Sequence, residues 1–239
     1  MAEKVIITKQ ENIDVTQKAG NFWDKYSRLI MLIGTLIILS IAGWYGYNEF
    51  IKKPKEKKAS EMIFAAESLF DKMASSTGFN KDTSIFVLNG NKEMGLTGIL
   101  KVIKDYSGTR AGNRAEYIAG ATYLHLKDFP KAIRYLEDFD AGGAYQVQSK
   151  AYIMLGHAYA EQNKTKEALE HYKKAASVNT KDDGISADAL FLAASYADAT
   201  GKKQEAIDLY NKIKKDYPGY TSVKSGDIDK FLAKLGILK

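Results

Sequence analysis

The sequence predicts an all-α protein, built as one N-terminal transmembrane helix followed by a solenoid of helical pairs. Three observations support this class. A single uncharged apolar run of transmembrane length lies near the N-terminus. Apolar residues recur at helical spacing through most of the remaining chain. A similar stretch of sequence then occurs three times, and successive copies are 36 and 38 residues apart.

The apolar run occupies residues 29–48, which we predict to be the transmembrane helix. At about 1.5 Å per residue, it can cross a hydrocarbon core of about 30 Å. Trp23 and Trp44 lie near its two ends, as is typical of residues at a membrane interface. The pattern Ser40-Ile41-Ala42 leaves a cleaved signal peptide as one alternative, and a buried soluble helix as another. The sequence stays apolar beyond residue 42, which favours a membrane anchor over a cleaved signal peptide.

Polar segments flank the span on both sides. We predict an N-terminal tail over residues 1–28, in which residues 1–21 show no sustained helical period and are expected to be mobile. Residues 49–58 are predicted to form a basic linker that Pro54 closes. The Lys and Arg counts beside the span are nearly equal, so charge leaves the orientation open.

Small residues lie together near the C-terminal end of the span. Ala42 and Gly46 form a small-xxx-small pair, with Gly43 beside them. Small side chains allow two membrane helices to approach closely. These residues are therefore predicted to pack against a partner helix in the bilayer.

Composition narrows the possible functions. The 239 residues include no cysteine, which excludes disulfides, thiolate metal sites and cysteine nucleophiles. Three prolines and 27% charged residues favour a folded chain over a long disordered one. The net charge of +6 is spread along the sequence, and it does not predict nucleic-acid binding.

The helical domain is predicted over residues 59–239. Its first helix begins at about Ala59, because apolar residues recur there at i, i+3 and i+4 spacing. Residues 75–91 are rich in Ser, Thr, Asn and Gly and predict a break. A second helix is expected over residues 92–106.

Three copies of one pattern follow, at about 113–146, 149–182 and 187–220, with a capping helix at 225–236. Gly120, Gly156 and Ala194 align, and an Ala follows each of them twelve residues later. The spacing is close to the 34-residue period of tetratricopeptide repeats, which are helix–turn–helix units. The middle copy resembles that family best. The first copy lacks the expected apolar residue at Glu116.

A second resemblance covers most of the chain. Its residues are Tyr106, Thr109, Ala115, Gly120, Tyr123 and Ala132. With the short tail and single span, they resemble the YfgM-like ancillary translocon family of bacterial inner membranes. That resemblance implies a cytoplasmic N-terminus and a periplasmic repeat domain that associates with the SecYEG channel and with periplasmic chaperones.

No catalytic constellation occurs in the sequence. The three histidines, His125, His157 and His171, do not form a metal-ligating motif. We therefore expect neither an enzyme nor a bound metal or cofactor.

The repeats instead predict a binding surface formed by their first helices. The candidate partner-binding residues are Arg114, Tyr117, Lys150, Ile153, His157 and Phe191, with Asp188 and Asp198 nearby. Tyr117 and Phe191 are the expected aromatic anchors for an extended peptide or a partner helix. The leading hypothesis is an interaction module that assists the Sec translocon. The alternatives are a scaffold for another envelope complex and an enzyme accessory or lipid-binding subunit.

Overall fold

The computed structural model describes residues 2–75 and 79–237, with side chains from Gly20 onward. It divides the chain into two compact units, residues 1–55 and residues 56–239, and each is described by itself. The first unit is helical throughout its described residues. The second contains helical pairs and a small hairpin.

Helix α1, Ala2–Tyr47, forms most of the first unit. Helix α1 includes the backbone of residues 2–21, for which the sequence shows no sustained helical period, and the mobility of this segment stays a prediction. One stretch of helix, Gly20–Ser75, contains a window long and apolar enough to cross a membrane, and none of that window is buried. Its large side chains are exposed, and Leu32 and Ile38 are 61% and 67% exposed.

A π-helical turn, Asn48–Lys52, connects α1 to α2, Lys53–Ser75. The turn allows the helix to continue through Pro54, which was predicted to close the linker. Proline lacks an amide hydrogen and clashes with the carbonyl four residues earlier. The amide of Lys53 instead donates to the carbonyl of Asn48, five residues back, and this wider turn precedes the proline. The predicted linker is thus helical.

The region after α2 differs from the prediction. Helix α3, Lys81–Asn89, lies inside the expected break, and the expected helix over 92–106 shortens to α4, Ile99–Asp105. Asn80 begins α3 because its side chain accepts the amides of Asp82 and Thr83 at 2.8 and 3.1 Å.

A two-stranded antiparallel hairpin lies between α3 and α4. Its strands are β1, Gly90–Asn91, and β2, Leu96–Thr97. A Cβ on Gly98 would lie 2.2 Å from the carbonyl carbon of Asn89, so the crossing requires glycine. The glycines in this segment thus mark a hairpin.

Three helical pairs lie at the positions of the three predicted repeats, and short helices follow. Their bounds are α5 Arg110–His125, α6 Phe129–Asp138, α7 Tyr145–Glu161, α8 Thr165–Ser177, α9 Asp183–Ala199, α10 Lys203–Asp216, α11 Thr221–Lys224 and α12 Asp227–Lys234. Helix α12 occupies the predicted position of the capping helix.

The aligned small residues lie where the two helices of a pair approach each other. A Cβ on Gly120 would be 2.5 Å from Cγ of Leu136, and one on Gly156 would be 2.3 Å from Cε1 of Tyr172. Ala194 is fully buried at the equivalent position. Close packing at these positions builds the core of each repeat.

Candidate functional site

A cleft of about 1010 Å³ lies beside the first repeat. Helix α2 forms one wall, α5 forms the floor, and the α6–α7 connection with the start of α7 forms the other wall. The residues that define this first-repeat cleft are the acids Glu67, Asp71, Glu116, Asp138 and Asp140, the bases Arg110 and Arg114, and the apolar residues Phe70, Tyr117, Phe139 and Val147.

Two polar contacts fix the α2 wall against α5. Nε and Nη2 of Arg114 donate to the two carboxylate oxygens of Glu67 at 2.9 and 3.3 Å. The carboxylate of Glu56 accepts the backbone amides of Arg110 and Ala111 at 2.9 and 3.3 Å. This second contact satisfies free amides at the N-terminus of α5, where negative charge is stabilising.

Asn113 holds the opposite wall in place. Its Nδ2 donates to the carbonyl oxygen of Asp140 at 2.6 Å, and its Oδ1 accepts the amide of Asp140 at 3.0 Å. Oε1 of Gln148 accepts the amide of Ala141 at 2.9 Å. The α6–α7 connection is thus held by α5 on one side and by α7 on the other, which fixes this wall of the cleft.

Aromatic side chains give the cleft an apolar floor. Tyr117 is half-buried and its ring centroid lies 5.2 Å from that of Phe139. Burial raises the pKa of Tyr117, so its hydroxyl remains a neutral donor near neutral pH. Phe70 and Phe139 are themselves mostly buried, and Val147 is exposed at the rim.

Glu116 is the unusual group in this cleft. Burial, followed by the negative charge of Asp138, raises its pKa to about 7. Glu116 is four residues before Gly120, and the equivalent positions in the later repeats carry Tyr152 and Leu190. A half-buried carboxyl therefore stands where the other repeats have a packing side chain. The missing apolar residue was the sequence signal for this site.

Of the predicted partner-binding residues, the structure brings Arg114 and Tyr117 into the cleft. Lys150 is exposed and Ile153 is half-buried on α7, and neither lines the cleft. His157 is engaged within its repeat, where Nδ1 lies 2.9 Å from Oη of Tyr172. Burial lowers the pKa of His157, which favours its neutral form.

Phe191 is half-buried and its ring is not free, and its role as a binding anchor stays a prediction. Its ring packs against those of Tyr210, Tyr220 and Phe231, with centroids 6.1, 6.4 and 5.7 Å away. The residues around α11 and α12 therefore cover this part of the third repeat, and Phe191 contributes to packing.

Two neighbouring acids on α9 are also engaged by the C-terminal segment. Oδ1 of Asp188 accepts the hydroxyl of Tyr220 at 2.8 Å. Lys234 lies 3.6 Å from Oδ2 of Asp198. With Phe191, these contacts occupy the positions of the third repeat that were predicted to face a partner.

The small residues of the span stay available for helix packing. Ala42 is exposed, and a Cβ on Gly43 or Gly46 would meet no atom within 4 Å. Their predicted contact with a partner helix stays a prediction.

Among the side chains that the structure describes, no histidine belongs to a group of three or more residues placed to hold a metal ion. The ring of His125 stacks on Phe79 with a centroid separation of 3.5 Å, and that of His171 stacks on Tyr159 at 5.2 Å. These histidines pack against aromatic rings.

Comparison with known families supports the repeat assignment. Residues 153–221 match the model of a tetratricopeptide repeat family. A search of curated proteins and of solved structures found no match to this chain. The match and the three helical pairs show an α-helical protein with tetratricopeptide-type repeats, which generally mediate protein–protein interactions. One N-terminal helix of this protein is long and apolar enough to span a membrane.

Proposed function

We propose that this protein is a membrane-anchored, non-catalytic interaction module that assists the Sec translocon. The observation that carries the proposal is the combination of an unburied apolar helix and a repeat domain in one chain. An unburied apolar helix needs a lipid or protein environment, because water disfavours so much exposed apolar surface. Tetratricopeptide-type repeats present surfaces suited to protein partners.

The resemblance to YfgM-like proteins supports the finer part of the proposal. In this scheme the N-terminus is cytoplasmic, the repeat domain is periplasmic, and the anchor lies in a bacterial inner membrane. The repeat domain connects the SecYEG channel to periplasmic chaperones or to exported chains. Ala42, Gly43 and Gly46 supply the surface on which a membrane partner packs.

Co-purification tests this function. The full chain, solubilised in a mild detergent, is expected to retain SecYEG components and envelope chaperones. A variant with Ala42→Leu and Gly46→Leu should lose the membrane partner while the repeat domain stays folded, because larger side chains keep the helices apart. Leu32→Ile, elsewhere on the exposed span, is the control.

The outcomes separate the possible assignments. Recovery of a secretion, division or outer-membrane assembly complex, with no translocon component, would reassign the protein as a scaffold of that complex. Recovery of neither class would contradict the interaction role. A reporter fused after Lys239 tests orientation, and a cytoplasmic signal would overturn the periplasmic placement.

A further inference from the structure

The first-repeat cleft has a charge opposite to that of the chain as a whole. The protein carries a net charge of +6, yet the cleft contains five acids and two bases. One of those bases, Arg114, is already paired with Glu67. Within the described part of the chain, no salt bridge engages Asp71, Glu116 or Asp138. The cleft therefore presents uncompensated negative charge.

These acids adjoin the apolar floor of the same cleft. Glu116 and Tyr117 are consecutive on α5, and Asp138 and Phe139 are consecutive on the facing wall. A carboxylate and an aromatic side chain thus occur together on α5 and again at the end of α6. Such a surface complements a ligand whose cationic and apolar groups alternate over a short distance.

We propose that the first-repeat cleft binds an extended segment of a partner protein that carries a Lys or Arg side chain next to an apolar side chain. The cation lies between Glu116 and Asp138, and its apolar neighbour packs on Tyr117 and Val147. The inference rests on the proposed interaction role and specifies the partner chemistry. A cation there is favoured because it compensates two neighbouring carboxylates that the fold leaves unpaired.

The binding experiment uses the full chain in nanodiscs of phosphatidylcholine, whose zwitterionic headgroups do not attract a cationic probe. The probe is a fluorescein-labelled peptide of alternating Lys and Leu, and its counterpart replaces each Lys with Glu. Fluorescence anisotropy is expected to show binding of the Lys peptide alone. Added salt should weaken that binding, because ions screen the charges.

Neutral substitutions locate the binding site. The double variant Glu116→Gln and Asp138→Asn should bind the Lys peptide about tenfold more weakly, since it removes two charged contacts. The matched control, Glu61→Gln with Glu93→Gln, also neutralises two acidic side chains, here at exposed positions outside the cleft. The control should bind like the unsubstituted protein. Equal binding by both double variants would overturn the proposal.

A second substitution covers the case in which the double variant does not fold. Asp71 is exposed on α2 and faces the cleft, so Asp71→Lys should reverse a charge without disturbing the core. This substitution should lower the affinity for the Lys peptide and raise the affinity for the Glu peptide. Unchanged affinity for both peptides would overturn the proposal, as would equal binding of both peptides by the unsubstituted protein.

Comparison with the co-purification experiment distinguishes the two proposals. If translocon components co-purify but the cleft does not discriminate between the peptides, the partner chemistry is wrong and the interaction role stands. If the cleft selects the Lys peptide but no envelope component co-purifies, the translocon assignment is wrong.

Discussion

The first repeat and the two later repeats have the same helical framework but use one equivalent position differently. Tyr152 and Leu190 pack against neighbouring apolar residues in the later repeats. Glu116 stands at that position in the first repeat and faces a cleft. The later repeats also bury Tyr172 and Tyr210 almost completely between their helices.

At this one position the first repeat carries a carboxyl in place of a packing side chain, and the cleft beside it is a candidate binding surface. A half-buried carboxyl with a raised pKa reduces stability when it ionises, and such groups occur more often at functional sites. The third repeat shows the opposite arrangement, because the C-terminal segment covers Phe191. The open binding surface is therefore expected at the first repeat.

The largest expected effect is on the packing of the second repeat. Gly156→Leu should lower the free energy of unfolding by about 3 kcal/mol or more, because its side chain would overlap the buried ring of Tyr172. The loss should spread to adjacent pairs. Gly184→Leu is the control, since a Cβ there meets only an Asp182 oxygen at 3.6 Å. Equal melting temperatures for the two variants would contradict the packing account.

Phe191→Ala tests the claim that the third repeat is covered. It should lower the free energy of unfolding by about 2–3 kcal/mol, because three aromatic neighbours lose contact. Chemical denaturation measures this loss. Affinity for the Lys peptide should stay unchanged in the folded variant. A loss of peptide affinity at unchanged stability would restore Phe191 as a binding anchor.

Glu56→Ala tests how the first repeat is held against α2. Loss of the carboxylate that accepts hydrogen bonds from two amides of α5 should lower the free energy of unfolding by about 1–2 kcal/mol. Hydrogen exchange at Arg110 and Ala111 should also become faster. Glu61→Ala, on the exposed face of the same helix, is the matched control. Unchanged hydrogen-exchange rates in Glu56→Ala would show that this carboxylate does not stabilise the start of α5.

The smallest expected effect is the pH dependence that Glu116 causes. Its folded pKa of about 7 exceeds its ordinary value of 4.5, so the folded state binds the proton more tightly. The resulting stabilisation is complete below about 4.5 and is lost as the pH rises through about 7. Because the side chain is half-exposed, we expect a total loss of about 1 kcal/mol.

Glu116→Gln should remove this part of the pH dependence, as urea denaturation at several pH values can measure. Glu93→Gln, at an exposed turn, should retain it. If the free energy of unfolding changed equally with pH in both variants, the pH dependence would not come from Glu116.

The sequence predicted the span, the three repeats and their close-contact glycines because each leaves a local or periodic pattern. It did not predict the hairpin at Gly90, since glycine and asparagine are also common in irregular segments. It also missed the continuous helix through Pro54, because a π-helical turn before a proline leaves no clear signal in composition.

The candidate site was predicted only in part. The repeat register identified Arg114 and Tyr117, but the α2 wall depends on contacts between residues far apart in the chain, such as Glu67 with Arg114. The same limit applies to Phe191, whose contact with the ring of Phe231 on a later helix leaves no local signal in the sequence. The departure from the repeat pattern at Glu116 was visible, but its meaning depended on the neighbouring Asp138.

Glu116→Leu tests most directly whether the first repeat has exchanged packing for binding. At about pH 8, where the carboxyl is ionised in both states, the substitution should raise the free energy of unfolding. The substitution should also lower the affinity for the Lys peptide in the nanodisc assay. Stability and affinity would then change in opposite directions. Lower stability with unchanged affinity would contradict the account, because Glu116 would then be a structural residue with no part in binding.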